Sequence, residues 1–290
     1  METRKYPQFG AQGNEFSLIT LREVMEGRQE PADPNVQCIR TKIDTIPGEW
    51  VVAPGADPDL RLLYLHGGGF VSGSGANYIP LAAMLSAAAK CAVLLIDYRL
   101  APEHPFPAGL DDCIHAYGWM TLNGPTGPTS AKHTFIAGDS AGGGLTLATL
   151  LALRDRCLPL PAGGIALSAF ADHTLSSESI RSRADTELYM HPDSLGKFVQ
   201  LYLAGGNAED PLASPVFGDY TGIPPLLIQV GDYEVILDDS IRVAAKAQAD
   251  GVTVQLEIWP GQCHVFQIRG LPESAEAIRH IAEFIHRQLA

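Results

Sequence analysis

The stretch that decides the fold reads Phe135-Ile136-Ala137-Gly138-Asp139-Ser140-Ala141-Gly142. An apolar run typical of a buried strand leads into the pattern Gly-x-Ser-x-Gly, and an apolar run typical of a helix follows. Between a strand and a helix, this pattern places the serine on a sharp turn that exposes its hydroxyl, while the glycines leave room for neighbouring backbone. Ser140 is therefore the candidate nucleophile.

The segments on both sides of this turn alternate between strand and helix patterns. Continuous apolar runs predict buried strands over residues 61–65, 91–97, 134–138, 164–168, 226–230 and 252–259. The intervening runs predict helices over residues 78–90, 107–122, 141–155, 239–249 and 273–288. Buried strands separated by helices are typical of the α/β class, with a mostly parallel sheet covered on both faces.

Two segments fall outside this alternation. Residues 1–35 are polar and hold one candidate helix over residues 17–27. Residues 171–215 interrupt the alternation with short helical pieces such as residues 194–203, and an excursion of this length indicates a lid rather than a plain loop. We expect a catalytic domain of residues 36–170 and 216–290 and a cap of residues 1–35 and 171–215.

A glycine-rich loop, His66-Gly67-Gly68-Gly69, follows the predicted strand over residues 61–65. Backbone amides in such a loop, together with the amide that follows a nucleophilic serine, are suited to stabilising negative charge on a carbonyl oxygen. The loop is therefore a candidate oxyanion hole.

Three histidines beyond residue 200 compete for the role of general base. His280 and His286 lie on the predicted terminal helix, where packed or solvated histidines are common. His264 lies in a loop just past a predicted strand, from which an imidazole reaches across the sheet edge to Ser140. His264 is the candidate base.

Four carboxylates, Asp232, Glu234, Asp238 and Asp239, follow the strand that ends at residue 230. Asp238 and Asp239 are typical of the first turn of the next helix. Asp232 and Glu234 both lie in the turn itself, so position alone does not choose the acid that orients the histidine.

Composition narrows the class of protein. The chain has 33 acidic and 20 basic side chains, and a net charge of −13 disfavours nucleic acid as a partner. No apolar run resembles a signal peptide or a membrane span. The five scattered cysteines predict reduced thiols and no metal site, with Cys91 and Cys157 in the core and Cys263 packed in its loop. We expect a cytoplasmic protein that uses no metal and no cofactor.

These motifs together resemble the bacterial hormone-sensitive-lipase-like esterases. The resemblance covers most of residues 60–270 and rests on residues 66–70, 97–108, 138–143, 210–215 and 259–261. It implies the α/β-hydrolase fold, with a mostly parallel eight-stranded sheet, helices on both faces and a helical cap. It also implies hydrolysis of short-chain acyl esters of small molecules, no cofactor and often a homodimer.

The resemblance also assigns individual residues. The family's acid motif, Asp-Pro-Leu-x-Asp, aligns with residues 234–238, so Glu234 takes the position of the more common aspartate. It implies that Gly67, Gly68 and Ala141 donate the oxyanion-hole bonds. It further implies that His66 and residues 98–103 support the site.

The expected activity is carboxylester hydrolysis through an acyl-enzyme on Ser140, with His264 as base and Glu234 as acid. Aryl amides, carbamates and lactones are alternatives, because all of them pass through a similar tetrahedral intermediate and the motifs do not separate them. A non-catalytic small-molecule receptor is the alternative of another class. A receptor that resembles this family has lost the histidine, whereas this chain keeps it.

Overall fold

The computed structural model describes residues 17–27 and 29–289, so the predictions for residues 1–16 lie outside the described residues. The helices of the described part are α1 (Leu18–Met25), α2 (Ile79–Ala89), α3 (Ala108–Leu122), α4 (Ala141–Asp155), α5 (Ser179–Ser182), α6 (Pro192–Leu203), α7 (Leu237–Ala249) and α8 (Pro272–Arg287). Its strands are β1 (Gln37–Ile43), β2 (Ile46–Val52), β3 (Asp57–Leu65), β4 (Cys91–Ile96), β5 (Asn123–Gly124), β6 (Gly127–Pro128), β7 (His133–Asp139), β8 (Gly163–Leu167), β9 (Leu226–Gly231) and β10 (Val254–Trp259). Among these helices, none is long and apolar enough to cross a membrane.

Eight strands form one sheet in the order β1-β2-β4-β3-β7-β8-β9-β10, whereas β5 and β6 pair with each other. β2 runs antiparallel to both of its neighbours, and the other neighbouring pairs are parallel. Every residue of β4 and of β9 is buried, as expected for parallel strands covered on both faces. The predicted eight-stranded, mostly parallel sheet is confirmed.

The side chains of β3 show how the sheet separates two cores. Leu63 and Leu65 pack into one apolar cluster with α3, α4 and α7, whereas Leu62 and Tyr64 pack into another with α2 and α8. Successive strand residues point to opposite faces, so one apolar strand contributes to both cores. Helices therefore cover both faces of the sheet, as the strand pattern predicts.

The predicted helices and strands all occur, with boundaries that differ by a few residues at most. The sequence pattern does not indicate the hairpin of β1 and β2. Its first strand alternates exposed and half-buried positions and has only Ile43 fully buried, so no continuous apolar run marks it. This hairpin forms one edge of the sheet, with β1 outermost and β2 as the antiparallel strand next to β4.

The segment 171–215 begins with polar anchors at the start of α7. Asp239 is buried and accepts hydrogen bonds from the amides of Ala171 and Asp172 and from Ser177 Oγ at 2.7–3.0 Å. Asp238 accepts from the Ser179 amide at 2.9 Å. Both aspartates lie in the first turn of α7, as predicted, and they also hold the inserted segment.

The prediction that Cys157 belongs to the core was wrong. α4 ends at Asp155, and Cys157 follows in a left-handed conformation with φ of 51° that turns the chain outward. Its side chain is exposed, whereas Cys91, the first residue of β4, is buried as predicted. Apolar sequence neighbours therefore do not predict burial for a residue just past the end of a helix.

Candidate active site

Ser140 lies on a strained turn between β7 and α4. Its φ of 53° and ψ of −119° are rarely adopted by a residue with a side chain, and such strain is found where the surrounding structure enforces it. Only glycine fits at the positions two residues before and two residues after Ser140. A Cβ at Gly138 would lie 2.3 Å from Gly142 O, and a Cβ at Gly142 would lie 2.0 Å from Leu65 O. The predicted elbow is therefore present.

The structure brings His264 and Glu234 together with Ser140. His264 Nε2 lies 2.9 Å from Ser140 Oγ, and His264 Nδ1 lies 2.9 Å from Glu234 Oε2. Because a carboxylate only accepts, Nδ1 carries the hydrogen and Nε2 is left to accept from the serine hydroxyl. The three side chains form one continuous hydrogen-bonded chain.

Asp232, the other candidate acid, points elsewhere. Its Oδ1 accepts a hydrogen bond from the Gly261 amide at 2.7 Å and so braces the loop that carries His264. Glu234 is fully buried, and its Oε1 accepts from Ser168 Oγ at 2.7 Å and from the Gly231 amide at 2.6 Å. The geometry separates two carboxylates that the sequence leaves equivalent.

Ser168 is a part of this arrangement that the sequence analysis misses. It directly follows β8, and its hydroxyl also accepts from the Val265 amide at 3.2 Å, so it joins the loop of Glu234 to the loop of His264. A polar residue directly after a fully buried parallel strand is the signal that would identify it.

The histidine is electrostatically suited to accept a proton. Burial lowers the pKa of His264, but the hydrogen bond and the negative charge of Glu234, together with other nearby carboxylates, outweigh burial and raise the pKa above its ordinary value. The charges of Glu187 and Asp139 act in the same direction. A raised pKa makes the imidazole a stronger base and stabilises the imidazolium that forms when the serine proton is transferred.

The three glycines of the loop have different neighbours. The Gly67 amide donates to Asp139 Oδ1 and lies 3.1 Å from both that oxygen and Tyr78 Oη. Gly68 and Gly69 line the cavity beside Ser140, and within the described residues their amides have no protein acceptor. The Gly67 amide is already used by Asp139, so the contacts favour Gly68 and Gly69 as the amides that face the cavity, whereas the sequence predicts Gly67 and Gly68.

The carbonyl groups of this loop are held so that the amides face the cavity. His66 Nδ1 lies 2.8 Å from Gly67 O, and Ser72 Oγ donates to Gly68 O at 2.9 Å. In a trans peptide the N–H points opposite to the C=O, so fixing these carbonyls directs the amides of Gly68 and Gly69. Ala141 begins α4, where an amide has no acceptor within its own helix.

Burial keeps His66 neutral by lowering its pKa, and its ring stacks on Tyr98 at 4.3 Å. Tyr98 Oη donates to His66 O at 2.7 Å. These contacts match the supporting role that the family resemblance implies. The remaining candidates lie outside the site: His280 binds Glu257 and His286 contacts the carbonyl of Ala89.

A cavity of about 130 Å³ opens in front of Ser140 and His264. Its wall is mostly apolar and comes from α1, α6 and the loops after residues 187 and 264, through Leu21, Met25, Tyr189, Met190, Phe198, Val265 and Ile268. The sequence analysis does not identify these residues. Leu21 and Met25 are four residues apart on the predicted helix over residues 17–27, and this spacing is the signal for a shared apolar face.

A reactive thiol and a metal ion are two other kinds of chemistry that the structure bears on. Cys263 is buried, and burial raises the pKa of its thiol, which keeps it protonated rather than nucleophilic. Within residues 17–27 and 29–289, no group of three His, Cys, Asp or Glu side chains is arranged to bind a metal ion.

A serine, a histidine and a carboxylate at the carboxyl edge of a mostly parallel sheet define the α/β-hydrolase class. A family model described as alpha/beta hydrolase fold matches residues 62–268. An acetyl-hydrolase of Streptomyces hygroscopicus is 41% identical over 240 residues, which are 82% of this chain and 78% of that protein. An esterase of Acinetobacter venetianus is 34% identical over 269 residues, 91% of this chain and 87% of the esterase.

Solved structures agree with these matches. An esterase/lipase from an uncultured bacterium has a TM-score of 0.89 and 43% identity, over 96% of this chain and 93% of its own. An esterase from the bacterial hormone-sensitive lipase family has a TM-score of 0.85 and 38% identity, over 94% of this chain and 97% of its own. The chain therefore belongs to the bacterial hormone-sensitive-lipase-like esterases, which are carboxylester hydrolases of the α/β-hydrolase fold.

Proposed function

We propose that the protein hydrolyses short-chain acyl esters through an acyl-enzyme on Ser140. The observation that carries this proposal is the hydrogen-bonded chain of Ser140, His264 and Glu234, with both links at 2.9 Å, at the base of an apolar cavity. In this proposal Ser140 is the nucleophile, His264 the base and Glu234 the acid that orients it. Gly68, Gly69 and Ala141 donate to the oxyanion.

The reaction follows from the positions of these atoms. His264 Nε2 takes the serine proton as Ser140 Oγ attacks the ester carbonyl, and the new oxyanion is stabilised by amides fixed before the reaction. The imidazolium then gives its proton to the departing alcohol, which leaves an acyl group on Ser140. A water molecule enters, His264 takes its proton, and the acid is released as the serine is restored.

The small cavity supports a short acyl group. An apolar cavity of roughly 150 Å³ holds a benzene molecule, so a cavity of this order accommodates about six carbons. The observed cavity is about 130 Å³, and the ring of Phe198, which forms part of its wall, packs closely against Gly69. We expect activity on p-nitrophenyl esters to peak at about eight acyl carbons or fewer and to fall steeply towards palmitate.

The decisive experiment compares the wild type with Ser140→Ala on three substrates: p-nitrophenyl butyrate, butyranilide and γ-butyrolactone. We expect the ester to be the best substrate and kcat in Ser140→Ala to fall by at least about a thousandfold. A fluorophosphonate probe should label the wild type and leave Ser140→Ala unlabelled. Full activity in Ser140→Ala would refute the proposal, and an unlabelled, inactive wild type would favour a receptor.

The proposal for the whole protein has three further parts. The cap comprises residues 1–35 and 171–215 on a catalytic domain of residues 36–170 and 216–290; the position of α1 and α6 at the cavity supports it.

The protein forms a homodimer, supported by β10, which lies at the edge of the sheet with Ile258 43% exposed. It works in the cytoplasm on small esters rather than nucleic acid, supported by five cysteines that are not paired in disulfides and by the net charge of −13.

A further inference from the structure

Asp139, the residue before the nucleophile, is a buried carboxylate that the mechanism does not use. It is 1% exposed and closes β7. Burial raises its pKa to about 6, although two hydrogen-bonding tyrosines oppose this shift. A buried carboxylate normally has a cation as its partner. Within residues 17–27 and 29–289, the groups that bond Asp139 are two phenols and one backbone amide.

These three bonds connect the elbow to the glycine loop. Asp139 Oδ1 accepts from Tyr64 Oη at 2.8 Å and from the Gly67 amide at 3.1 Å, and Asp139 Oδ2 accepts from Tyr78 Oη at 2.9 Å. Tyr78 Oη also lies 3.1 Å from the Gly67 amide. Because the pKa of both phenols is raised well above the usual value, both remain donors.

Asp139 and Tyr78 also pack closely against Gly67. A Cβ at Gly67 would lie 2.3 Å from Asp139 Oδ2 and 3.0 Å from Tyr78 Oη, so the carboxylate and the phenol fill the space that a side chain would need. Asp139 and Tyr78 also line the cavity, whereas Tyr64 lies behind them in β3 and is not part of the wall.

We propose that Asp139 and Tyr78 are positioning residues that hold Gly67 at a fixed place relative to Ser140, so that the next two amides meet the oxyanion. Gly67 is bound at its amide by this pair and at its carbonyl by His66, so hydrogen bonds restrain both of its peptide planes. The inference rests on the proposed function, because it assumes that Ser140 attacks and that Gly68 and Gly69 stabilise the oxyanion.

The test uses Tyr78→Phe, Asp139→Ala and Asp139→Asn, with Tyr64→Phe as the matched control. Tyr64→Phe removes a phenol bond to the same carboxylate but leaves the contacts of Gly67 intact. Asn at position 139 keeps an oxygen that accepts from the Gly67 amide. We would measure kcat and KM on p-nitrophenyl butyrate and the Ki of a trifluoromethyl ketone, whose adduct with the serine places an oxyanion at these amides.

Displacement of oxyanion donors by about an ångström costs on the order of a hundredfold in rate. We therefore expect Tyr78→Phe and Asp139→Ala to lower kcat by about ten- to a hundredfold while KM stays within about threefold. The Ki of the ketone should rise by the same factor as kcat/KM falls. Asp139→Asn should recover most of the rate, and Tyr64→Phe should lose less than about threefold.

Several results would overturn the inference. It is wrong if Tyr78→Phe keeps the wild-type kcat, or if Tyr64→Phe loses as much as Tyr78→Phe. It is also wrong if the Ki of the ketone stays constant while kcat falls. Should Asp139→Ala fail to fold, Tyr78→Phe still decides. If Ser140→Ala is inactive and Tyr78→Phe is fully active, this inference is wrong and the proposed function stands. If Ser140→Ala is active, the proposed function and this inference are both wrong.

Discussion

Glu234 uses its two carboxylate oxygens for different contacts. Oε2 accepts from the imidazole, and Oε1 is held by Ser168 Oγ and the Gly231 amide. A buried carboxylate that accepts several hydrogen bonds is held in one orientation. The imidazole therefore meets a fixed negative charge, which sets both its tautomer and the direction of Nε2 towards Ser140.

Glu234→Gln tests this arrangement through the pH dependence of the rate. Removing the charge removes the main cause that raises the pKa of His264, while burial continues to lower it. Because the base must be neutral, activity is lost as the pH falls through this pKa, so the acid limb of kcat/KM should move to lower pH in the variant. We also expect kcat to fall by about a hundred- to ten-thousandfold.

Asp232→Asn is the matched control for that experiment. Its side chain still accepts from the Gly261 amide through an oxygen, so we expect kcat within about threefold of the wild type and an unchanged acid limb. A large loss in Asp232→Asn together with a small one in Glu234→Gln would show that the acid is Asp232.

At the scale of single residues, the sequence predicts which side chains belong to the site better than what each backbone group does. Ser140 and His264 are identifiable because their roles follow from chain order and from the turn after a strand. Which glycine amides face the cavity depends on Asp139, a residue 72 positions from Gly67. No local pattern contains that contact, so the sequence predicts Gly67 and Gly68 whereas the contacts favour Gly68 and Gly69.

At the scale of elements, Arg22 makes several polar contacts that hold α1, while Leu21 of the same helix packs into the core. Arg22 Nε donates to Val71 O at 2.8 Å and Nη2 to Ala101 O at 3.1 Å. Its guanidinium also binds both oxygens of Glu103 at 2.7 Å. Leu21 and Met25, on the same helix, line the cavity. The position of this wall therefore depends on Arg22.

Arg22→Met should alter the preference for acyl chains. A charge-assisted hydrogen bond contributes about 1.5–3 kcal/mol, so losing the guanidinium should loosen α1. We expect KM for p-nitrophenyl hexanoate to rise by about tenfold, while KM for the acetate, which reaches less of this wall, changes by less than about threefold. The measurement is a steady-state comparison of both esters.

Glu103→Gln separates the exposed ion pair from the bonds to the carbonyls. The side chain of Glu103 is 54% exposed, and exposed ion pairs contribute about 0–1 kcal/mol. We therefore expect a smaller change than in Arg22→Met. Equal changes for acetate and hexanoate in Arg22→Met would contradict the role given to α1.

The sequence predicts most strands of the main sheet and the helices that cover it well, because fully buried strands and helices carry continuous apolar patterns. It fails for the hairpin of β1 and β2, which lies at the edge of the sheet and mixes polar and apolar positions. It also says little about how α1 and the segment 171–215 meet the cavity. Those contacts depend on polar anchors such as Arg22 and Asp239, whose partners lie far away along the chain.

At the scale of the whole molecule, buried titratable groups act in opposite directions on stability. Burial raises the pKa of Asp239 to about 7 and that of Asp139 to about 6. The folded state then binds protons more tightly than the unfolded state, so these aspartates reduce stability as the pH rises through their folded pKa. Burial lowers the pKa of His173 to about 4, and this histidine favours the folded state as the pH rises towards its unfolded pKa.

Asp239→Asn isolates one side of this balance. Asparagine keeps an acceptor and a donor for the anchored segment but does not ionise, so the contribution that is lost as the pH rises is removed. We expect the difference in unfolding temperature, variant minus wild type, to become more positive between pH 5 and pH 8. Thermal unfolding in buffers of matched ionic strength measures it, and a difference that does not change with pH would contradict the assignment.

In the part of the chain that the structure describes, residues 17–27 and 29–289, Asp139 is buried without a cationic hydrogen-bond partner, and this also matters for directed evolution. A neutral residue at this position avoids the free-energy cost of a buried negative charge, so a library selected by heat treatment alone would enrich substitutions of Asp139. Enriched variants that lose the acceptor for the Gly67 amide, such as Asp139→Ala, would survive heating with a displaced glycine loop and a slow reaction. Screens for heat-resistant forms of this enzyme should therefore score product formation in every round, or should keep position 139 constant.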